Sequence, residues 1–565
     1  MKKRLIAAIA IPALVLSGCS TLPSASDPHV LRSFSPQPEV DPAVGPTPGQ
    51  EADLLVREFY AAAAIPSSDY SAARSFLTPE AAQSWNPEES MRIVDLIELT
   101  SQNTSRADQR AFTVRGSVIG SIASGGSYVP ENSGYETTIR MDKVDNEWRI
   151  TDLPDGVVFE RTELRNHYQP LPVYFYRQTG SVLVTDRRWL FGSQNSLDAQ
   201  LIALLLAGPS TRLAPATTNV VPDDAAFIGV ENGVYNFAGM QNMSPDDRLR
   251  FAAELVWTLS HAGIQEPYTV TADGAPLVEN LESMTTDDFA EYNPRVASKT
   301  VAPLYALHEG NILQVSSNAA EPVPGSLGES GNIESADITA DGVIAAVRRE
   351  GDESRFIFGD IEGEMIEEGQ KSETISRPTF ENAGQAAWTV VNGDEVMRIV
   401  RSPQTGEVTT TRVITTELDS IQGEISVIRL SNSGAQAAMI IGGEVYIGVV
   451  ERERSGDFRL TNVYNPASEL GGTALSLDWQ ADGSLVVGTS TQEAPVWRVE
   501  QDGSSVSILP SGNITIPVVS IAASPSTLYI TDYHSMLQLP VETESTYWRE
   551  VPGMQGMRSA PIVAN

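Results

Sequence analysis

Between about Thr300 and Asn565 the chain consists of short alternating strands interrupted at a nearly constant interval, and that interval limits the folds open to almost half the molecule. The turns centre on Asp341-Gly342, Ala383-Gly384, Ser433-Gly434, Asp482-Gly483 and Ser524-Pro525, spaced 42, 50, 49 and 42 residues apart. Each is followed by a run of strand formers, such as Val343-Ile344-Ala345-Ala346-Val347 or Leu485-Val486-Val487-Gly488-Thr489, and in places by a third strand, as at Val496-Trp497-Arg498-Val499. A sheet this small cannot bury both of its faces alone, and stacking copies of it around an axis solves the problem. The spacing predicts an all-β propeller over residues 300–565, with five to seven blades. Leu304 to Val315 carries no complete unit of its own and is placed with the last blade, closing the ring.

The opposite end of the chain is an export signal. Lys2-Lys3-Arg4 precede an apolar run from Leu5 to Leu16, and Ser17 and Gly18 stand before Cys19, the n, h and c order of a signal peptide. The run is too short for a helix to cross ~30 Å of hydrocarbon, and Pro12 interrupts it. Leu16-Ser17-Gly18-Cys19 matches the lipobox, which predicts cleavage between Gly18 and Cys19, loss of residues 1–18, and a diacylglyceryl group on the Cys19 sulfur. Cysteine usage agrees, because Cys19 is the single cysteine among 565 residues and cannot be there to form an internal disulfide. Seven prolines fall between Ser20 and Gly49, so residues 19–49 read as a tether that buries no core and reaches at most roughly 90 Å at ~3.1 Å per residue. The net charge of −35 becomes −38 once Lys2, Lys3 and Arg4 are removed. Such a chain repels nucleic acid and anionic lipid alike, leaving the acyl chains to hold the membrane at ~0.8 kcal/mol per buried CH₂.

Residues 50–156 begin at helical period, with Leu54, Leu55, Glu58, Phe59 and Ala62, and continue with a second helical stretch from Tyr70 to Trp85. The period then changes to two, at Phe112 to Val118 and Tyr135 to Met141, and Asp145-Asn146 turns the chain into Trp148-Arg149-Ile150. This is an α+β arrangement. Its closing hairpin, Lys143 to Ile150, resembles that of the NTF2-like cone, with Trp148 capping an interior whose residues read as apolar filling. Residues 157–280 alternate strands with a helix from Asp198 to Ala207 that stops at Gly208-Pro209. A second helix begins at Ser244-Pro245 and runs to Gly263, before the strand Tyr268 to Thr271 and the turn Asp273-Gly274. The element order, with Leu205-Leu206-Ala207-Gly208-Pro209 and Val256-Trp257-Thr258-Leu259, is similar to the GerMN domain, an α/β envelope module.

Enzyme chemistry needs convergent groups, and the sequence contains no Gly-x-Ser-x-Gly elbow, His-Glu-x-x-His pair, phosphate loop or Gly-x-Gly-x-x-Gly fingerprint. The five histidines, His29, His167, His261, His308 and His534, are scattered, which argues against a multi-histidine metal site. His534 is the one placed to face a propeller channel. Asp341, Asp482 and Asp502 each precede glycine and read as turn residues, and Asp142, Asp145 and Glu147 match a calcium loop only loosely. We therefore expect no catalytic residue, metal or cofactor. The best contact candidates are Arg187, Arg188, Trp189 and Phe191, two arginines beside two aromatics in an acidic chain. The competing reading, internal packing of Trp189 and Phe191, is the stronger of the two.

Lipobox, proline-rich tether, NTF2-like cone, GerMN-like block and propeller in this order resemble the LpqB lipoprotein family of actinobacteria over the whole mature chain. The resemblance implies an anchor on the extracytoplasmic face of the cell membrane. It also implies association with the MtrA–MtrB two-component system through the ectodomain of the sensor kinase MtrB, with effects on envelope homeostasis and division. No residue pattern carries that partner directly. A scaffold binding peptidoglycan, and a propeller enzyme acting on wall polymer, are the alternatives.

Overall fold

The computed structural model describes residues 45–104, 106–179, 182–192, 197–294, 302–363, 366–381, 384–541 and 546–564. The signal peptide, Cys19, the tether as far as residue 44, and Ala383 lie outside the described residues.

The first domain packs helices on a bent antiparallel sheet. Helix Ala52–Ala62 buries Leu55, Val56 and Phe59 and leaves Leu54 exposed. The expected helical stretch from Tyr70 to Trp85 is two helices, Ser67–Arg74 and Pro79–Ser84. Pro79 explains the break, since its ring has no N–H to continue a helix but suits a first turn, and the Thr78 hydroxyl accepts from Ala81 N at 3.3 Å. The long strands Gln109–Ala123 and Ser127–Val144 form the body of the sheet. Trp148 and Ile150 share a buried face, and Arg110 and Lys143 stand over the Trp148 ring at 5.3 and 5.1 Å. A cavity of only about 50 Å³ remains beside Phe59, Tyr60 and Tyr135. Strand Val157–Glu160, at the start of the second block, pairs in parallel with Met91–Val94 of the first.

The second domain continues that sheet. Ser127 pairs with Arg188 of strand Leu183–Phe191, which pairs in turn with Tyr168–Arg177. Helices Leu197–Ala207 and Pro245–His261 cover it, and a second sheet of Ala226–Glu231, Val234–Ala238, Thr269–Ala272 and Ala275–Pro276 completes the core. Ser244 caps the long helix by accepting from Asp247 N at 3.1 Å. Its interior holds a carboxyl: Glu254 is 1 % exposed and accepts from Tyr176 N at 2.9 Å, and burial pushes its pKa up to about 8.

Among the described residues the third domain is a ring of six four-stranded sheets. Four of the five turn centres read from the sequence, and Gly384 of the fifth, lie between the first and second strands of blades two to six. The second strands Ala386–Val391 and Gln436–Ile441 are buried at every position, because they face neighbouring blades on both sides. Leu304–His308 and Asn311–Val315 do not join the last blade. With Ala320–Pro322 they form blade one, and the C-terminal strand Ala560–Val563 pairs with Leu304–His308 as its innermost strand. Ring closure therefore joins the two ends of the domain's own chain.

Candidate interaction site

The segment Asp186 to Phe191 lies on strand Leu183–Phe191, where alternate side chains face opposite ways. Arg188 reaches the first domain, with Asp186 paired to it on the same face of the strand. Arg188 Nη2 donates to Asp186 Oδ2 at 2.7 Å and its Nη1 to Gly125 O at 2.8 Å, while Ser210 N donates to the same Asp186 oxygen at 2.6 Å. Arg187 and Trp189 face the propeller. Arg187 pairs with Glu500 at 2.5 Å and with Asp502 at 3.3 Å, and Trp189 Nε1 donates to Asp502 Oδ2 at 3.0 Å. Phe191 lies edge-on to Tyr168 with ring centroids 5.6 Å apart. Gly126, at φ +80°, passes so close that a Cβ there would stand 2.5 Å from Trp189 O, so only glycine allows this approach.

These four candidates are therefore engaged within the chain. Arg188 and Trp189 are 3 % and 7 % exposed, which leaves neither a free face for an outside partner. Arg188 is neutralised locally by Asp186, but the acidic groups that Arg187 and Trp189 meet, Glu500 and Asp502, each stand 313 residues away, on the turn closing the last two strands of blade five, and no local pattern could have paired them. Asp502 is the turn residue expected, with Oδ1 accepting from Ser504 N at 3.0 Å, but its second oxygen serves the seam.

The seam extends on either side. Val184, Leu213 and Ala216 form an apolar cluster with Ala435 and Val449 of blade four, and Arg212 stacks 3.9 Å above the ring centre of Tyr464. Gln501 Nε2 donates to Thr185 O at 3.1 Å, and Asn132 of the first domain reaches Ser468 at 3.4 Å. A cavity of about 160 Å³ lies where the three domains meet, bordered by Tyr128, Arg187, Arg212, Gln436, Tyr464 and Asp502.

A second charged cluster spans the propeller axis. Arg429 pairs with Asp337 and with Asp478, each at 3.2 Å, and donates to Pro378 O at 2.9 Å. The remaining carboxylate oxygens accept from Phe380 N and Ala523 N, both at 3.0 Å, so blades two to six are tied through one buried guanidinium. His534 is exposed on a turn whose Asp532 accepts its backbone N–H at 2.8 Å, and it does not line the channel cavity. Asp145 and Asn146 form a left-handed turn, and among the described residues no three His, Cys, Asp or Glu side chains converge as a metal site.

Comparison with known proteins follows this architecture domain by domain. Residues 45–165 match the model of the lipoprotein LpqB N-terminal domain, 172–278 the sporulation and spore germination model, and 310–564 the lipoprotein LpqB beta-propeller domain. Lipoprotein LpqB of Corynebacterium diphtheriae is 42 % identical over 98 % of this chain and 97 % of its own length. The chain belongs to the LpqB lipoprotein family. The LpqB proteins of Rhodococcus jostii and Mycobacterium tuberculosis are 35 % and 31 % identical, over 100 % and 97 % of this chain and 98 % and 97 % of theirs. Membership brings with it the character of a membrane-anchored lipoprotein. Among the described residues no helix is long and apolar enough to cross a membrane.

Proposed function

We propose that this LpqB family member is anchored through Cys19 on the extracytoplasmic face of the membrane and acts by binding, as an accessory regulator of the MtrA–MtrB system in contact with the MtrB ectodomain. The observation that carries this reading is the likeness to LpqB lipoproteins over 97 to 100 % of the chain, a span that takes in the lipobox and all three domains. The seam supports it: three domains locked to one another present a single body at the end of a tether, which suits recognition by a broad surface. The arginine and aromatic groups with the strongest binding character make their contacts inside that body, which favours a contact surface elsewhere. Crosslinking on intact cells is the test. Capture of MtrB by the full-length protein is the expected result, whereas a recovered complex of wall polymer free of the kinase points to a glycan-binding scaffold instead.

A further inference from the structure

At one end of the propeller channel, where the innermost strands begin, lies a cavity of about 320 Å³, within the range of small-molecule sites. Its polar lining is unbalanced towards donors. Arg558, exposed at the rim, donates through Nε to Asp532 O at 3.2 Å and has no carboxylate partner among the described residues. Deeper in, Arg377 has a buried Nη2 without a hydrogen-bond partner, and Ser335 has a buried hydroxyl in the same condition. The acceptors are occupied. Glu334 takes Ser354 Oγ at 2.5 Å and Arg349 at 3.4 Å, and Asp337 takes Arg429 at 3.2 Å and Phe380 N at 3.0 Å. The carboxylate oxygen nearest Arg377, Asp337 Oδ1, stands 3.8 Å from Nη2, beyond hydrogen-bond reach, and burial, with Arg429 adding to it, lowers the Arg377 pKa to about 10. Leu307, Val519 and Ala560 give the wall its apolar surface, beside Ser520, Thr531 and Ser559, and the hydroxyls of Thr531 and Ser559 are engaged with Ser559 O and His308.

We propose that this channel mouth binds a small organic carboxylate, its head group held by Arg558 and Arg377 and its apolar body lying against Leu307 and Val519. A carboxylate supplies acceptors and no donor, which is what the cavity lacks, and its plane matches a guanidinium fork. Inorganic phosphate satisfies the donors but leaves the apolar wall uncovered. The site is distinct from the interdomain seam and does not depend on the kinase reading.

Calorimetric titration of the purified full-length lipoprotein in detergent micelles tests this, with isovalerate, its uncharged analogue isoamyl alcohol, and inorganic phosphate as probes. Isovalerate should bind saturably, and Arg558→Gln should weaken it by about tenfold or more, the scale of one charge-assisted hydrogen bond. Arg558 is exposed, so thermal melting of that variant should match the parent, and Arg212→Gln at the seam should leave isovalerate binding unchanged. Absence of saturable isovalerate binding, equal affinity for the alcohol, binding of phosphate alone, or an unchanged affinity in Arg558→Gln overturns the proposal.

Discussion

Trp189 Nε1 donates to Asp502 Oδ2 at 3.0 Å across 313 residues of chain, and the same oxygen lies 3.3 Å from Arg187 Nε. One carboxylate thus holds the second domain to blade five. Asp502→Ala removes the acceptor of a buried indole and one of two partners of Arg187, and should cost about 3 kcal/mol in urea unfolding, near the low end for breaking a buried ion pair. Trp189→Phe removes only the donor and should cost about 1 kcal/mol more than its area change. The double variant should fall short of the sum by at least 0.5 kcal/mol, as expected for residues in contact. Strict additivity would show that the bond carries no coupling.

Arg429 is the only described cation bridging Asp337 and Asp478 at 3.2 Å each. Arg429→Met leaves the buried Asp478 carboxylate without its cation and Asp337 with Arg377 alone, 3.8 Å away, and should destabilise the propeller by about 3–5 kcal/mol. Adding Asp337→Asn and Asp478→Asn should recover much of that loss, because the uncompensated charge disappears. Chemical denaturation followed by tryptophan fluorescence distinguishes the two, and a triple variant no better than Arg429→Met would count against an electrostatic cause.

Glu254 stands at a pKa of about 8 in the folded protein because burial penalises its charged form, against an ordinary 4.5 when exposed. A carboxyl raised on folding makes the native state bind the proton more tightly. Its contribution is greatest below about pH 4.5, declines as pH rises towards 8, and is constant above that. Glu254→Gln should remove this component. The difference in urea midpoint between parent and variant should therefore change between pH 5 and 8, and a difference flat with pH would refute the assignment.

Cys19→Ala should release the protein from the membrane fraction or leave it uncut, seen as loss of lipid label and a shift in electrophoretic mobility. Retention with unchanged label would remove the anchor from the proposed function.

Periodicity made the propeller legible, because a blade has to repeat its turn and its buried second strand, and both are local. Each described turn centre fell between first and second strands for that reason. The blade count and the closure were not legible: Ala560–Val563 completes the sheet of Leu304–His308 at the other end of the domain, and nothing local in either strand names its partner. The helix break at Pro79 was readable from proline's missing N–H, yet the helical spacing of the flanking residues concealed it.

The same division applies to function. By itself the sequence determined the order of three domains and the family, and it raised the expectation of an export signal and a lipidated Cys19, because each is written in contiguous residues. It also marked Arg187, Arg188, Trp189 and Phe191 as unusual. Only the tertiary structure decided what they do, since the charges that satisfy two of them, Glu500 and Asp502, come from a distant blade and become neighbours only when the domains pack. The channel mouth follows the same rule: Arg377 and Arg558 are 181 residues apart in sequence and meet because the ring closes.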